Sequence, residues 1–430
     1  MKERMNLKNQ PVPQVVVVGA GFGGLKVARA LGGKPVRVTL VDRNNYHLFQ
    51  PLLYQVATAM LAENEIAYPV RATLRGSRNL FFHLGEVQEI DLDHKSVKTN
   101  NGILPYDYLV LAPGGETNFF GVESAAKNGF GLKDLDDAVK IRNHILLQLE
   151  QAAQESDPEK RRARLTFVVV GGGPTGVECA GAISELVRMV LPKDYPELDA
   201  GEVQIILLEA MDRLLLNMPE DLGQITAAVL SRKQVDVRLK CAVEGYDGQK
   251  VSLKDGSAIP TATLIWAAGV RVAKLLDTLG LDQDRLGRVR VESTLQVPGH
   301  AEVFVIGDAA HLVGEDGKPL PMLAPVAMQQ AERTAGNITA LVENRPLQPF
   351  VYRDPGVLAT IGRSQAVAQL GRLKFHGFVA WLVWIVVHIF QLIGFRNRLA
   401  VLMNWAWTYI FYERAVRLIN PRESFTPKEN

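Results

Sequence analysis

Residues Gly171 to Glu185 read GGGPTGVECAGAISE. The β-branched run TFVVV precedes them, and the stretch continues as a helix-like run of small and apolar residues. In a G-x-G-x-x-G turn, the first glycine permits a sharp bend and the second lets the backbone approach a pyrophosphate. The third lets the helix pack against the strand. The helix start then offers unsatisfied N–H groups and the positive end of its dipole. The next strand, VQIILLE, ends on Glu209, an acid placed for ribose hydroxyls. The spacing therefore predicts a strand–turn–helix–strand unit. Gly171, Gly173, Pro174, Thr175, Gly176 and Glu209 lie at the nucleotide, and Ala268 and Gly269 end the later strand LIWAAG beside it. The helix is read as VECAGAISELVRMV, followed by an insertion, LPKDYPELDAGE.

The same plan occurs near the start of the chain. VVVV at 15–18 leads into GAGFGG, a helix follows, and VRVTLVD ends at Asp42. Each glycine unit is followed by short antiparallel segments with a glycine turn, NNG or KDG, and then by an apolar strand ending in glycine. The chain thus carries a coarse internal repeat. The fold class is α/β, with two Rossmann-like dinucleotide-binding domains, one inserted in the other. The expected boundaries are 12–125 and 273–345 for the first domain, 126–272 for the inserted one, and 346–430 for a C-terminal helical, membrane-anchoring region.

Glycine turns without a ligand are the plain alternative, but two such units with correctly placed acids point to two nucleotides. Flavin plus nicotinamide is the pairing in which one cofactor passes a hydride to the other. VFVIGD at 303–308 assigns FAD to the first unit, because a late strand ending in Gly307-Asp308 folds back onto the flavin domain in such proteins; the alternative for Asp308 is a helix cap. The first-unit FAD contacts are Gly19, Gly21, Phe22, Gly23, Gly24, Asp42 and Arg43. Val87, Ala112 and Gly114 follow from the segments after it. Glu209 repels a 2′-phosphate and favours NADH over NADPH, with Arg213 nearby working the other way.

Bulk composition narrows the class further. The 430 residues carry a net charge of +2, which gives no whole-chain signal for nucleic acid. The two cysteines, Cys179 and Cys241, form no CxxC pair, so disulfide-reductase chemistry and metal binding lack their ligands. From Phe375 to Phe395 there is no Asp, Glu, Lys or Arg, and a second uncharged stretch runs from Leu399 to Tyr412. Four of the five tryptophans fall in these stretches, and Arg372, Lys374, Arg396, Arg398, Arg414, Arg417 and Arg422 flank them. The first stretch meets the roughly 20 residues a bilayer span takes. The embedded His376, His388 and Gln391 and the scattered tryptophans favour an interfacial anchor instead; a buried dimer helix is the third reading.

Several segments together resemble the type II NADH:quinone dehydrogenases over nearly the whole chain: GAGFGGLKVARAL, YHLFQPLLYQVAT, GGGPTGVECAGAISEL, GDAA, LAPVAMQQ and IGFRNRLAVLMNWAWTY. The resemblance implies a single-subunit, membrane-peripheral enzyme on the cytoplasmic side. It passes two electrons from NADH through non-covalent FAD to a membrane quinone without pumping protons. Whether it forms a homodimer stays open. The resemblance places Glu178 near the nicotinamide and flavin as the catalytic residue, against the alternative that it complements a helix N-terminus from the first turn. It adds Gln50, Ala324 and Pro325 to the FAD contacts and puts His47, Tyr54 and Gln329 at the quinone site, with a structural role as the alternative for His47 and with Gln329 or Gln330 standing in for a glutamine that Pro325 replaces. Many family members have Ala-Gln where this chain has Ala324-Pro325, so the glutamine contact expected there is absent. The other readings of the same motifs are a soluble NADH-dependent ferredoxin or rubredoxin reductase, which needs no apolar tail, and a membrane-docking flavin redox sensor.

Overall fold

The structure is a computed structural model and describes residues 12–411 and 416–419. Arg414 and Arg422, expected among the flanking cations, lie outside the described residues. The chain divides into two compact units. One collects the described residues up to His47 with Tyr68–Glu116 and Val270–Asp354; the other collects Leu48–Ala67, Thr117–Gly269 and the described residues from Pro355 onward.

The first unit is built on a six-stranded sheet. Its strands run in the order Gln296–Val297, His300–Val305, Tyr108–Leu111, Gln14–Val18, Arg37–Asp42 and Leu80–Leu84. All neighbours pair in parallel except Gln296–Val297 with His300–Val305. Strands of such a sheet are covered on both faces, which is why QVVVV and YLVL are nearly unbroken apolar runs. The helices Phe22–Ala30 and Ala324–Val342 pack together. Gly23 lies at their contact, where an added Cβ would come within 3.0 Å of Ile306 Cδ1. The expected meander is present as three antiparallel strands, Val87–Asp91, Ser96–Thr99 and Gly102–Pro105.

The second unit repeats the plan with a five-stranded parallel sheet, ordered Phe130–Gly131, Thr263–Trp266, Thr166–Val170, Gln204–Leu208 and Val235–Arg238. Its meander is Val243–Tyr246, Lys250–Leu253 and Ala258–Pro260. Two features differ from the sequence expectation. The helix after the glycine turn does not stop before the insertion but runs from Pro174 to Asp194. Pro192 lies in its last turn, where the missing N–H forfeits one bond rather than breaking a helix interior. The helix Leu135–Gln154, capped by the Asp134 side chain on the Asp137 amide, is absent from the sequence reading.

The tail is not helical throughout. Val357–Gly362, Gln365–Leu370 and Leu373–His376 form an antiparallel sheet, and two helices follow, Gly377–Gln391 and Phe395–Phe411. No helix of the described residues is long and apolar enough to cross a membrane. The uncharged run breaks after Gln391, and Gly394 takes a positive φ of 89° between the two helices. Fifteen residues of helix span about 22 Å, short of the roughly 30 Å hydrocarbon core.

The tail sheet lies against the Pro174–Asp194 helix. Gly181 is the point of closest approach: a Cβ there would sit 2.5 Å from the Ile361 carbonyl oxygen. A carbonyl of a paired strand has no room to withdraw. Gly181→Ala is therefore expected to lower stability by about 1–3 kcal/mol in chemical denaturation. A midpoint equal to the wild type's would show that the contact is not tight.

Candidate functional site

The two glycine turns are built alike. Gly19 and Gly171 take φ values of +96° and +113°, in the region open to glycine. A Cβ on Gly24 would lie 1.8 Å from the Gly19 carbonyl oxygen, and one on Gly176 would lie 1.8 Å from that of Gly171. These contacts draw each helix onto its strand. By contrast, a Cβ at Gly21 or Gly173 would meet nothing within 4 Å. Both residues are helix N-caps without a side-chain cap, so each helix start presents uncapped amides beside open space.

The acids lock the turns. Asp42 accepts the amides of Ala20 at 2.6 Å and Asn44 at 2.7 Å. Burial raises its pKa against the pull of these donors and of Arg43. Glu209 accepts the amides of Gly172 at 2.5 Å and Met211 at 2.7 Å. Each carboxylate oxygen keeps a second lone pair for a ribose hydroxyl. The remaining second-unit residues fall around the same turn: Pro174 and Thr175 open the helix, and Ala268 Cα lies 2.9 Å from where a Gly171 Cβ would be. Gly269, with φ +75°, turns the chain beyond it.

In the first unit, the Ala112 carbonyl oxygen lies 2.2 Å from the position of a Gly19 Cβ. Gly114 takes φ +74° with open space on its Cβ side. Gly307 and Asp308 open a one-turn 3-10 helix, and the Gly307 amide donates to Gln330 Oε1 at 2.7 Å. An added Cβ at Gly115 would sit 3.3 Å from Asp308 Oδ2. Ala324 and Pro325 begin their helix without a side-chain cap. Val87 packs at the edge of the apolar core beneath the sheet.

Other expected positions are committed differently. His47 is buried; its Nδ1–H donates to the Ala20 carbonyl at 2.9 Å, and its ring meets Phe22 edge-on at 5.1 Å. Burial lowers its pKa, so it is a neutral brace of the first turn. The Gln329 amide is engaged on both sides, donating to the Arg353 carbonyl at 2.8 Å and accepting its N–H at 3.0 Å. Gln330 is the glutamine at the Gly307–Asp308 turn. Gln50 belongs to the second unit and donates to the Lys133 carbonyl. Cys179 is buried and its thiol is pushed up to about 12, an inert core sulfur.

Glu178 is not in the first turn of its helix, which starts at Pro174, and so it does not complement the helix N-terminus. Its side chain turns instead into a buried corner with the tail sheet, where Oε1 accepts the Thr360 amide at 3.3 Å. Burial pushes its pKa up to about 8, against the opposing pull of the Thr360 amide and the Trp384 indole N–H. Thr360 and Trp384 also line a cavity of about 540 Å³, counted with its solvent-open mouth. Tyr54, Gln55, Trp381 and Trp405 form other walls of this cavity. Gln55 donates to the Tyr54 hydroxyl at 2.8 Å and accepts from the Trp405 indole at 2.7 Å.

Sequence reasoning missed Thr360, Trp384 and Gln55. The helical spacing of Ala380, Trp384 and His388 was the available signal for Trp384. These residues face inward, whereas Phe378, Val379, Leu382 and Phe390 are exposed.

The model of the pyridine nucleotide-disulphide oxidoreductase family matches residues 13–331, and that of the NDH2 C-terminal domain matches residues 355–413. The chain is 40% identical to a type II NADH:quinone oxidoreductase of Mycobacterium tuberculosis, Ndh, over 96% of its length and 91% of the relative's. A second protein of that organism, NdhA, is also 40% identical, over 92% and 87%. Among solved structures, NDH2 of Plasmodium falciparum in complex with NADH superposes with a TM-score of 0.88. It is 21% identical over 94% of this chain and 100% of that one, a likeness of fold.

The protonated Glu178 has a thermodynamic consequence. Above its ordinary value of 4.5, the unfolded chain has lost this proton while the folded chain keeps it up to about 8. Across that window the group's contribution to stability is lost as pH rises, by up to ~1.4 kcal/mol per pH unit. The difference in denaturation free energy between Glu178→Gln and wild type is expected to grow in favour of the variant from about pH 5 to 8. Parallel pH curves for the two proteins would mean that the carboxyl is ionised at neutral pH.

Proposed function

The chain belongs to the type II NADH:quinone oxidoreductases, and from that premise we propose how its residues divide the work. The reaction is NADH + H⁺ + quinone to NAD⁺ + quinol. Gly171, Gly173, Gly176 and the start of the Pro174–Asp194 helix bind the NADH pyrophosphate, and Glu209 takes the ribose hydroxyls. Gly19, Gly21, Gly24, Asp42 and the Gly307–Asp308 turn bind FAD. Bound FAD supplies a two-electron store between a hydride donor and a quinone. The observation that carries this reading is the duplicated turn: two glycine-braced helix starts, each open at its second glycine and each backed by a carboxylate on the turn's own amides.

Quinol formation needs two protons for the two electrons delivered. Glu178 holds one at neutral pH, in a corner lined by the cavity residues Thr360 and Trp384. We assign it as the acid of quinone reduction, with the cavity beside it admitting the quinone ring. The purified protein is expected to show flavin absorbance that bleaches with NADH and returns with a short-chain quinone. In stopped-flow measurements, Glu178→Ala is expected to slow reoxidation by quinone ~100-fold while keeping FAD and flavin reduction. Reoxidation at the wild-type rate would leave Glu178 without a part in the acceptor step.

We place the protein peripherally on the cytoplasmic face of a membrane, without proton pumping, and the exposed apolar faces of the tail support the peripheral attachment. Phe390 and Phe395 are 72% and 82% exposed and Ile410 is 65% exposed, and Met403 and Phe411 share the outer faces of the two helices. Apolar faces of this kind favour burial at the acyl boundary. Truncating the tail would uncover the buried corner at Glu178, so substitution is the cleaner test. The triple change Phe390→Ser, Phe395→Ser and Ile410→Ser is expected to abolish flotation with liposomes while keeping NADH oxidation with a soluble quinone. Unchanged flotation would place the attachment elsewhere.

A further inference from the structure

One wall of the cavity beside Glu178 is a buried amide whose bonding is incomplete. Gln55 is 2% exposed and lies on the short helix Leu53–Ala57. Its backbone carbonyl receives the returning amides of Met60 at 2.8 Å and Leu61 at 3.2 Å, which pins the residue in place. Its side chain bridges two other walls of the cavity, Trp405 and Tyr54.

An indole N–H can only donate. The end of the Gln55 amide that meets Trp405 Nε1 at 2.7 Å is therefore the oxygen, and the nitrogen is the end turned to the Tyr54 hydroxyl at 2.8 Å. That nitrogen carries two hydrogens, and the bond to Tyr54 uses one. The second has no acceptor among the described residues. A buried donor left unmade is costly, and its presence at a cavity wall calls for a partner inside the cavity. The tail sets the direction of the amide, because the helix that brings Trp405 is itself tied by Asn397 Nδ2 to the carbonyls of Asn64 and Glu65. We propose that Gln55 is the carbonyl-recognising residue of this cavity: its second amide N–H donates to a quinone oxygen, and Trp405 holds the amide in the orientation this requires.

This rests on the placement of the quinone ring in the cavity. Other polar walls are already engaged. Glu185 is held by Lys233 Nζ at 2.7 Å and the Arg363 amide at 2.6 Å. The Thr360 hydroxyl donates to the carbonyls of Gly362 and Gln365, each at 3.1 Å. An amide does not titrate, so Gln55 supplies no proton to the reaction. Its N–H positions the ring, and it binds the quinone oxygen more strongly as negative charge gathers there during reduction.

The test uses stopped-flow reoxidation of the NADH-reduced, FAD-loaded protein. Gln55→Met keeps the length of the side chain and deletes the donor. Its second-order rate of reoxidation by a short-chain quinone should fall about tenfold, by the same factor across neutral pH because no proton is gained or lost at the amide. Reoxidation by ferricyanide, an acceptor with no carbonyl, should keep its wild-type rate. In infrared difference spectra with isotope-labelled quinone on the oxidised protein, the quinone C=O band should lie lower in wild type than in Gln55→Met. Trp405→Phe should slow the quinone step less, since the freed amide can turn, and adding it to Gln55→Met should cost nothing beyond about twofold. Met60→Trp, which narrows the cavity, should slow reoxidation by quinone and spare ferricyanide. If Gln55→Met fails to hold FAD, Trp405→Phe carries the infrared test, with a band that stays at the wild-type position counting against the proposal. A wild-type quinone rate and an unshifted band in Gln55→Met, with Met60→Trp slow, overturn the proposal and leave the quinone in the cavity. Wild-type quinone rates in both Gln55→Met and Met60→Trp overturn the cavity reading as well. Additive losses in the double variant overturn the part given to Trp405.

Discussion

The contact of the third glycine with the first governs both glycine turns. With a would-be Cβ at 1.8 Å from a carbonyl oxygen, no other residue fits at Gly24 or Gly176 unless the turn opens. Closure at that point has two effects. It seats the helix against the parallel strand, so the apolar faces of VVVV and TFVVV are covered. It also directs the helix start toward the open side at Gly21 and Gly173, where no side chain caps the amides. The acid at the end of the neighbouring strand then secures the turn through Ala20 or Gly172. Under the proposed assignment, nucleotide affinity and fold stability share the same few atoms, and a change in either turn acts on both.

The helix beginning at Gly176 serves a second purpose along its middle. Gly181 lets the tail sheet approach to backbone contact, and two turns of the helix then carry buried carboxylates of opposite condition. Glu185 is paired with Lys233 and receives the Arg363 amide, which fixes the Gly362–Arg363 corner of the tail. A buried pair of this kind is a weak source of stability, because desolvation offsets its attraction, but removing one partner strands the other charge. Glu178, seven residues earlier, has no cationic partner among the described residues, and burial therefore leaves it protonated near neutrality. The contrast between the two acids follows from their partners, since both are buried on one helix.

Much of this was legible from residue order because it depends on local spacing. The glycines, the acids closing the next strands and the apolar strands between them are periodic signals, and both sheets formed where those signals lay. The Ala324–Val342 helix opens on the APVAMQQ of the quoted LAPVAMQQ segment. What escaped depends on partners far away in the chain. VLATIG and QAVAQL are short, small-residue strands whose pairing is set by packing on the Pro174–Asp194 helix. The amide that bonds Glu178 lies at position 360, and nothing near residue 178 announces it. The side-chain amide of Gln329 matched its motif, yet the bonds it makes to Arg353 depend on a loop with no periodic signal.

The uncharged tail stretches invited a membrane reading, and the structure shows why composition alone could not separate a span from a surface helix. The outer faces carry Phe390, Phe395, Met403 and Ile410, while the inner faces carry polar groups that are already used. Asn397 Nδ2 donates to the carbonyls of Asn64 at 3.1 Å and Glu65 at 3.0 Å, Asn404 bonds the Glu65 carboxyl, and Trp405 bonds Gln55. A helix crossing hydrocarbon would have to bury or break these bonds, since lipid offers no replacement partners. The same inner bonds tie the Phe395–Phe411 helix to the 48–67 segment that supplies Tyr54 and Gln55 to the cavity. Under the proposed docking, one side of the tail meets acyl chains while the other shapes the chamber beside Glu178. On that docking a lipid-borne substrate needs no aqueous passage, because the elements proposed to hold the protein at the bilayer also wall the cavity.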